Sequence, residues 1–169
     1  MKIRSVIALV LLSLCYAALI RAQEPTVPTT QQQQHNLMPA PAAIRFARGR
    51  LPITKSFAVS AKSYVDDRLR AYIDRTVRRL EGRTGLEFKG GRLDVSAGNP
   101  AAVSLVVDCQ APGQSVPALS EDESYSLEVS DKQAVLTAQT VVGAMRGLET
   151  FLQLLDSDQD GYFIHAVSI

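Results

Sequence analysis

The stretch DESYSLEVSDKQAVLTAQTVVGAMRGLETFLQLL, residues 122–155, decides the fold that the sequence predicts. Apolar and polar side chains alternate between residues 124 and 130, which is typical of a strand with one buried face. Asp131 and Lys132 favour a turn, and a second strand is predicted at residues 134–138. The first part of this stretch therefore predicts a β-hairpin.

A helix is predicted directly after the hairpin. Thr140 supplies an N-cap hydroxyl, and the helix is expected to run to about Leu155. Its apolar stripe consists of Val141, Met145, Leu148, Leu152 and Leu155. Gly143 and Gly147 lower helix propensity, so we expect this helix backbone to lie close against a strand or a partner surface.

The preceding residues predict three more strands and a helix. Two short strands are expected at residues 44–47 and 57–61, with a turn at Arg48-Gly49-Arg50 between them. A long helix follows, with Ser63 as its N-cap and Gly82 or Gly85 at its end. An apolar strand is predicted at residues 103–109.

The order of these segments predicts the fold class. Residues 162–169 form a predicted terminal strand, so the chain contains two strands, a helix, a strand, the hairpin, a helix and a strand. This order predicts an α+β domain in which a mixed or antiparallel sheet carries both helices on one face.

The first residues predict export. Lys2 and Arg4 precede an apolar run over residues 6–20, which is typical of a secretory signal peptide ending at residue 22. Residues 23–36, rich in Gln, Pro and Thr, predict a disordered tether, and residues 37–169 are long enough for one core. We therefore expect a periplasmic or extracellular protein with no membrane anchor after cleavage.

The charge of the mature chain limits which partners it is expected to bind, and its cysteine content limits which disulfides it can form. Removal of Lys2, Arg4 and Arg21 leaves 18 − 3 = 15 basic residues against 17 acidic ones, a net charge of −2. This balance argues against a nucleic-acid partner. Cys109 would be the remaining cysteine, so no internal disulfide is predicted, and we interpret it as a small core residue.

The hairpin and the glycine-spaced helix resemble a known domain. Residues 122–129, 134–138 and 143–154 are similar in order and type to the non-catalytic N-terminal domain of family 20 β-N-acetylhexosaminidases. Met38-Pro39-Ala40-Pro41 resembles the first residues of that domain, so the resemblance covers residues 37–169. Related domains precede other glycosidases, so the domain is less specific than the enzyme family.

The resemblance implies a role beside an enzyme rather than as one. Family 20 enzymes hydrolyse terminal β-linked N-acetylhexosamine, with the acetamido oxygen of the substrate as nucleophile and an adjacent Asp-Glu pair on a barrel strand. We expect both the pair and the catalytic barrel to be absent from this sequence. No catalytic residue and no cofactor is therefore predicted, and the implied partners are a family 20 barrel and N-acetylhexosamine-containing glycans.

Two acidic segments could be mistaken for sites. Glu121, Asp122 and Glu123 are interpreted as a solvated turn, because general acid catalysis needs a partly desolvated pocket. Asp156, Asp158 and Asp160 match the first half of an EF-hand calcium loop and are the residues that come nearest to a metal site.

The second half of the calcium pattern is missing. The twelfth position, which should be a bidentate glutamate, is Val167, and a strand is expected to follow. We therefore interpret this segment as an acidic loop that ends a helix. His35 and His165 lie far apart in the sequence and do not predict a zinc site.

The first helix is rich in arginine. Its basic residues are Arg68, Arg70, Arg75, Arg78, Arg79 and Arg83. Asp66 precedes Arg70 by four residues and Asp74 precedes Arg78 by four, so we interpret this surface as a solvated face with ion pairs along the helix.

Two main functional hypotheses follow from the sequence, and a third, an exported calcium-binding protein, rests on residues 156–161 alone. The first is an accessory domain of a β-N-acetylhexosaminidase, and the second is a free-standing exported module that binds glycans or another partner. An accessory domain should expose an apolar patch near the Gly143 and Gly147 helix or near Phe163, Val167 and Ile169, whereas a free-standing module should have a polar surface there.

Overall fold

The fold is described here from a computed structural model. It describes residues 35–89, 103–116 and 118–169. The predicted signal peptide, residues 1–22, and residues 23–34 of the predicted tether lie outside the described residues.

The described part of the chain forms seven strands and two helices. In chain order these are β1 (Arg45–Ile53), β2 (Val59–Ser63), α1 (Asp67–Thr84), β3 (Leu105–Ala111), β4 (Tyr125–Val129), β5 (Ala134–Thr140), α2 (Val141–Gln153), β6 (Leu155–Asp158) and β7 (Gly161–Ser168). The predicted hairpin and both predicted helices are therefore present. The α+β fold class is confirmed.

The strands make one mixed sheet in the order β1-β7-β4-β5-β3-β2. Strand β6 pairs with residues 161–164, the first half of β7. Strands β2, β3 and β5 are parallel to one another. The remaining pairings are antiparallel, including that of β1 with the terminal strand β7. Of the two predicted alternatives, the mixed sheet is thus the one observed.

The strand register sorts side chains by polarity across the sheet. Two rows of aligned residues are buried on the helix-covered face: Val59, Leu105, Ala134, Val129 and Val167, then Ala61, Val107, Leu136 and Leu127. The rows between them point to the opposite face: Ser60, Val106, Val135, Glu128 and Ser168, then Lys62, Asp108, Thr137 and Ser126. Because side chains alternate along each strand, correct register places the core on one face only.

Helix α2 lies on the buried face at unusually short distance. A Cβ added to Gly143 would be 2.3 Å from the Ser124 backbone oxygen, and one added to Gly147 would be 2.1 Å from Leu136 Cδ1. The glycines therefore face β4 and β5. The sequence predicted that this helix backbone would lie against either a strand or a partner surface, and it lies against strands. Helix α1 packs beside α2 and contributes Leu69, Ile73, Val77 and Leu80 to the same core.

The start of α1 differs from the prediction. Asp66, rather than Ser63, is the N-cap, and its carboxylate accepts a hydrogen bond of 2.7 Å from Leu69 N. Ser63 has a φ of 66°, and its hydroxyl donates to Asp108 in β3. Its side chain therefore binds a residue of the sheet and does not cap the helix. The end of the helix is as predicted, because Gly85 adopts the left-handed conformation that closes it.

Strand β1 is longer than predicted and continues through the expected turn. The predicted turn at Arg48-Gly49-Arg50 is a β-bulge, where the register with β7 shifts between Phe46 and Arg50. Gly49 has a φ of 109°, which a side chain would oppose. The extra residues keep Leu51 and Ile53 in register with β7 and in the core.

Asp108 is the most extensively bonded carboxylate on the open face of the sheet. It accepts hydrogen bonds of 2.7 Å from the Ser63 hydroxyl and 2.8 Å from Gln110 Nε2, and it lies 2.9 Å from Lys62 Nζ. Burial alone would raise the pKa of Asp108, but the bonds from Lys62 and Ser63 outweigh it, and the pKa lies below its usual value. This network joins edge strand β2 to β3.

Replacement of Gly147 by alanine is expected to lower the free energy of unfolding by about 1–3 kcal/mol, the usual cost of overpacking a core. The new Cβ would collide with Leu136, which is fully buried. Gly82→Ala is the matched control, since nothing lies within 4 Å of its new Cβ, and it should stabilise α1 by about 0.5–1 kcal/mol. Urea unfolding measures both effects, and equal stability of G147A and wild type would contradict the close packing of α2.

Replacement of Asp108 by asparagine is expected to lower the free energy of unfolding at pH 7 by about 1 kcal/mol. Because the pKa of Asp108 is lowered on folding, this stabilisation is present above about pH 4 and is lost as the pH falls through the folded-state pKa. Wild type and D108N should therefore converge in acid. Urea unfolding at several pH values tests this, with Glu128→Gln as the control on the same face; a pH-independent gap would refute it.

Candidate functional site

The acidic turn of residues 121–123 is a structural element. Glu121 accepts a hydrogen bond of 2.9 Å from Gln114 N, and Asp122 accepts one of 2.8 Å from Ser124 N. Glu123 binds both Nε and Nη2 of Arg146 on α2, at 2.9 and 3.1 Å. These hydrogen bonds stabilise the loop and join it to Arg146 in the middle of α2.

The chemistry of this turn does not suit acid catalysis. Hydrogen bonds from Ser124 lower the pKa of Asp122, so its carboxyl group stays ionised near neutral pH. Asp122 and Glu123 are exposed to solvent, whereas a general acid needs a raised pKa in a partly desolvated pocket.

The acidic hairpin, residues 156–161, differs from the predicted loop. Asp156 and Asp158 lie in β6, and Asp160 lies in the turn to β7. Asp158 and Asp160 both bind the guanidinium of Arg50 in β1, while Asp156 Oδ2 lies 3.6 Å from His165 Nε2. Two of the three carboxylates with calcium-loop spacing are thus directed to an arginine of the same domain.

The charges and the geometry at this hairpin favour binding of its carboxylates to the arginine rather than to a metal ion. The backbone N–H of Asp160 and then the Arg50 guanidinium lower the pKa of Asp158. Arg50 also lies over the ring of Phe163, with 4.7 Å from Cζ to the ring centroid. Among residues 35–89, 103–116 and 118–169, no three His, Cys, Asp or Glu side chains are placed to hold a metal ion.

A half-buried polar cluster between the two helices was not predicted from the sequence. The Tyr72 hydroxyl donates to Glu149 Oε1 at 2.6 Å, and Arg79 donates to the same oxygen. Burial, and then the bond to Glu149, raise the pKa of Tyr72 to about 12. Burial opposes ionisation of Glu149, but the bonds from Tyr72 and Arg79 keep its pKa below the usual value. This cluster joins α1 to α2.

The arginine-rich face of α1 differs from the prediction of a solvated face with ion pairs along the helix. Asp66 caps the helix instead of pairing with Arg70, and two of the arginines bind backbone oxygens elsewhere in the domain. Arg68 donates to the Pro112 carbonyl oxygen and Arg83 to that of Leu152. Arg68 and Arg83 therefore link α1 to neighbouring segments.

Cys109 lies fully buried in β3, as the interpretation as a core residue requires. Burial raises the pKa of its thiol, which makes the nucleophilic thiolate scarce. The thiol donates to the Ala111 carbonyl oxygen at 3.3 Å. His165 lies on β7, edge-on to the ring of Phe163 at a centroid distance of 4.9 Å.

An apolar groove lies at the end of the sheet where β7 finishes. We call it the C-terminal groove; its volume is about 320 Å³, and it is lined by residues 39–43 with Ser124, Tyr125 and Ile169. Of the three residues expected to form a patch at the terminal strand, Phe163 and Val167 are buried inside the domain, whereas Ile169 lines the groove. Most of the other lining residues belong to the segment that leads into β1.

Neither helix of the described residues is both long enough and apolar enough to cross a membrane.

The comparisons with known proteins agree with this architecture. A family model described as "beta-acetyl hexosaminidase like" matches residues 37–154. Beta-hexosaminidase subunit beta of Mus musculus is 48% identical over 62 residues, which are 37% of this chain and 11% of the relative. Subunit alpha of Bos taurus is 46% identical over 61 residues, 36% of this chain and 12% of the relative.

Solved structures share the fold. A chitobiase from Flavobacterium johnsoniae superposes with a TM-score of 0.74 and 36% identity, over 82% of this chain and 21% of that chain. An N-acetyl-beta-hexosaminidase from Streptomyces plicatus has a TM-score of 0.57 at 20% identity, over 79% of this chain and 25% of that chain, and supports the fold alone.

The chain thus spans a small part of the length of these proteins, and its match concerns the domain. The family model covers most of the described residues, from the segment before β1 to the end of α2. The resemblance inferred from the hairpin and the glycine-spaced helix is confirmed. This chain belongs to the beta-acetyl hexosaminidase like family, the N-terminal-like domain of family 20 glycoside hydrolases.

Proposed function

We propose that this chain is the accessory N-terminal domain of an exported β-N-acetylhexosaminidase, which supports a catalytic barrel and does not hydrolyse glycosides by itself. The observation that carries the proposal is that the carboxylates of the acidic turn and the acidic hairpin serve the fold. Glu123 binds Arg146, and Asp158 and Asp160 bind Arg50. A glycosidase acid must instead be free to give its proton to the leaving oxygen.

The substrate class follows from the family. Its named relatives are beta-hexosaminidases and a chitobiase, and in each of them the matched region is a small part of the whole chain. An enzyme built on this domain would accordingly act on terminal β-linked N-acetylhexosamine, with the chemistry in another domain. The basic and apolar residues at the start of the chain support export.

A free-standing exported module that binds glycans is the second candidate. The observation that favours it is the burial of Phe163 and Val167, which are 6% and 1% exposed, within the domain itself. An edge prepared for a partner would leave such residues open. The two candidates differ in whether the chain acts through a barrel or binds a sugar without one.

The test compares three proteins on a chromogenic β-N-acetylglucosaminide. These are the full chain, the F. johnsoniae chitobiase without its matching region, and a fusion in which the full chain replaces that region. We expect no hydrolysis by the full chain, and an activity half-life at raised temperature about tenfold longer for the fusion than for the truncated chitobiase, a factor that corresponds to roughly 1.4 kcal/mol. A fusion carrying Gly147→Ala is the matched control and should lose part of this gain.

Either of two results would contradict the accessory role. The first is hydrolysis by the full chain alone. The second is equal half-lives for the fusion and the truncated chitobiase. Binding of N-acetylhexosamine oligosaccharides to the full chain, measured by calorimetry, would in the second case favour the free-standing module.

A further inference from the structure

We propose that strand β1 is built to prevent the outer edge of the sheet from pairing with a strand of another chain, an inference that does not depend on the proposed function. Strand β1 pairs with β7 on one side, and no strand of the described residues pairs with its other side. The backbone hydrogen bonds of the turns and loops in these residues do not involve β1 either. Its outward N–H and C=O groups are therefore open to a further strand, the usual route to edge-to-edge association.

The length of β1 makes this edge the one most open to such pairing. Strand β1 has nine residues, whereas β2 and β6, which also pair on one side only, have five and four. A long edge strand offers more backbone groups to an incoming strand, and very short edge strands are themselves a protection. Strand β1 therefore needs other features to remain unpaired.

The bulge in β1 interrupts the regular spacing of its backbone groups. Between the paired residues Phe46 and Arg50, β1 has three residues where β7 has one. Gly49, one of the three, has a φ of 109°, far from the extended conformation of a strand. Because a bulge bends and twists its strand, an incoming strand cannot form a continuous ladder of hydrogen bonds along the outer edge.

Pro52 removes a donor from the part of β1 that follows the bulge. It lies opposite Phe163 within the paired part of the strand and is exposed. Since proline has no N–H, it occurs in a sheet where its nitrogen points away from the neighbouring strand. The outer edge of β1 therefore lacks a donor at position 52.

Positive charge on β1 opposes pairing between two copies of the chain. Arg45 and Arg48 are exposed, and Arg50 follows directly after the bulge. In an antiparallel pair of β1 strands centred on Gly49, Arg48 of each copy would lie opposite Arg50 of the other. Like charges directly opposite each other destabilise a strand pair. The bulge, the proline and the arginines thus act against the same association.

The experiment restores a regular edge and measures association of the full chain by sedimentation velocity at rising concentration. Pro52→Thr returns the missing N–H, and deletion of Arg48 and Gly49 removes the extra residues while Leu51 keeps its present partner in β7. A third variant combines both changes. Pro112→Thr is the matched control, because it makes the same replacement in an exposed loop outside the sheet. All variants retain residues 1–34, so any association through those residues is common to them.

We expect the combined variant to associate at a concentration at least about tenfold lower than wild type, because a regular edge with all its donors gains several hydrogen bonds between chains. P52T alone should shift association in the same direction by less, and P112T should match wild type. Equal association of the combined variant and wild type, with cooperative urea unfolding of both, would overturn the inference, as would a shift for P112T as large as that for P52T. If the deletion prevents folding, P52T and P112T decide alone, and equal association of these two refutes it.

Discussion

Gly143 and Gly147 let the backbone of α2 approach β4 and β5 more closely than any side chain would allow, and the packing of the rest of the domain depends on that contact. Ala144, Leu148 and Phe151, all fully buried, can then fill the space between the sheet and α1. A helix without these glycines would stand further off and leave the core open, which is costly because interiors are packed at crystal density.

Local signals predicted the elements whose partners are close in sequence. The hairpin of β4 and β5 and the Thr140 cap of α2 both follow from residues within a few positions of one another. Several of the predictions that were wrong involve distant partners. Ser63 looks like a helix cap but bonds to Asp108, 45 positions away, and the polar sequence of β6 becomes a strand only because β7 supplies its hydrogen bonds.

The contacts of the candidate site also join residues that are distant in sequence, which limited how much of it could be predicted. The sequence predicted a solvated acidic turn and an acidic loop, yet it did not indicate the partners of these carboxylates, since Arg50 and Asp158 are 108 positions apart. Tyr72 and Glu149 each occupy an ordinary helical position, and their contact arises from the packing of two helices. The groove combines residues 39–43 with Tyr125 and Ile169, so no single motif could reveal it.

The place of β7 in the sheet bears on the order of events during synthesis. Strand β1 pairs with β7 on one side, and β6 and β4 pair with successive parts of β7 on the other side, so β7 is internal to the sheet although it is the last of the described strands in chain order. β1 emerges from the ribosome more than 100 residues before its partner strand, as the pairing of Arg45 with Ser168 requires. The parallel strands and α2 are complete earlier. Strand β1 therefore lacks a partner strand until β7 is translated, and its unpaired backbone groups are open to aggregation during that time.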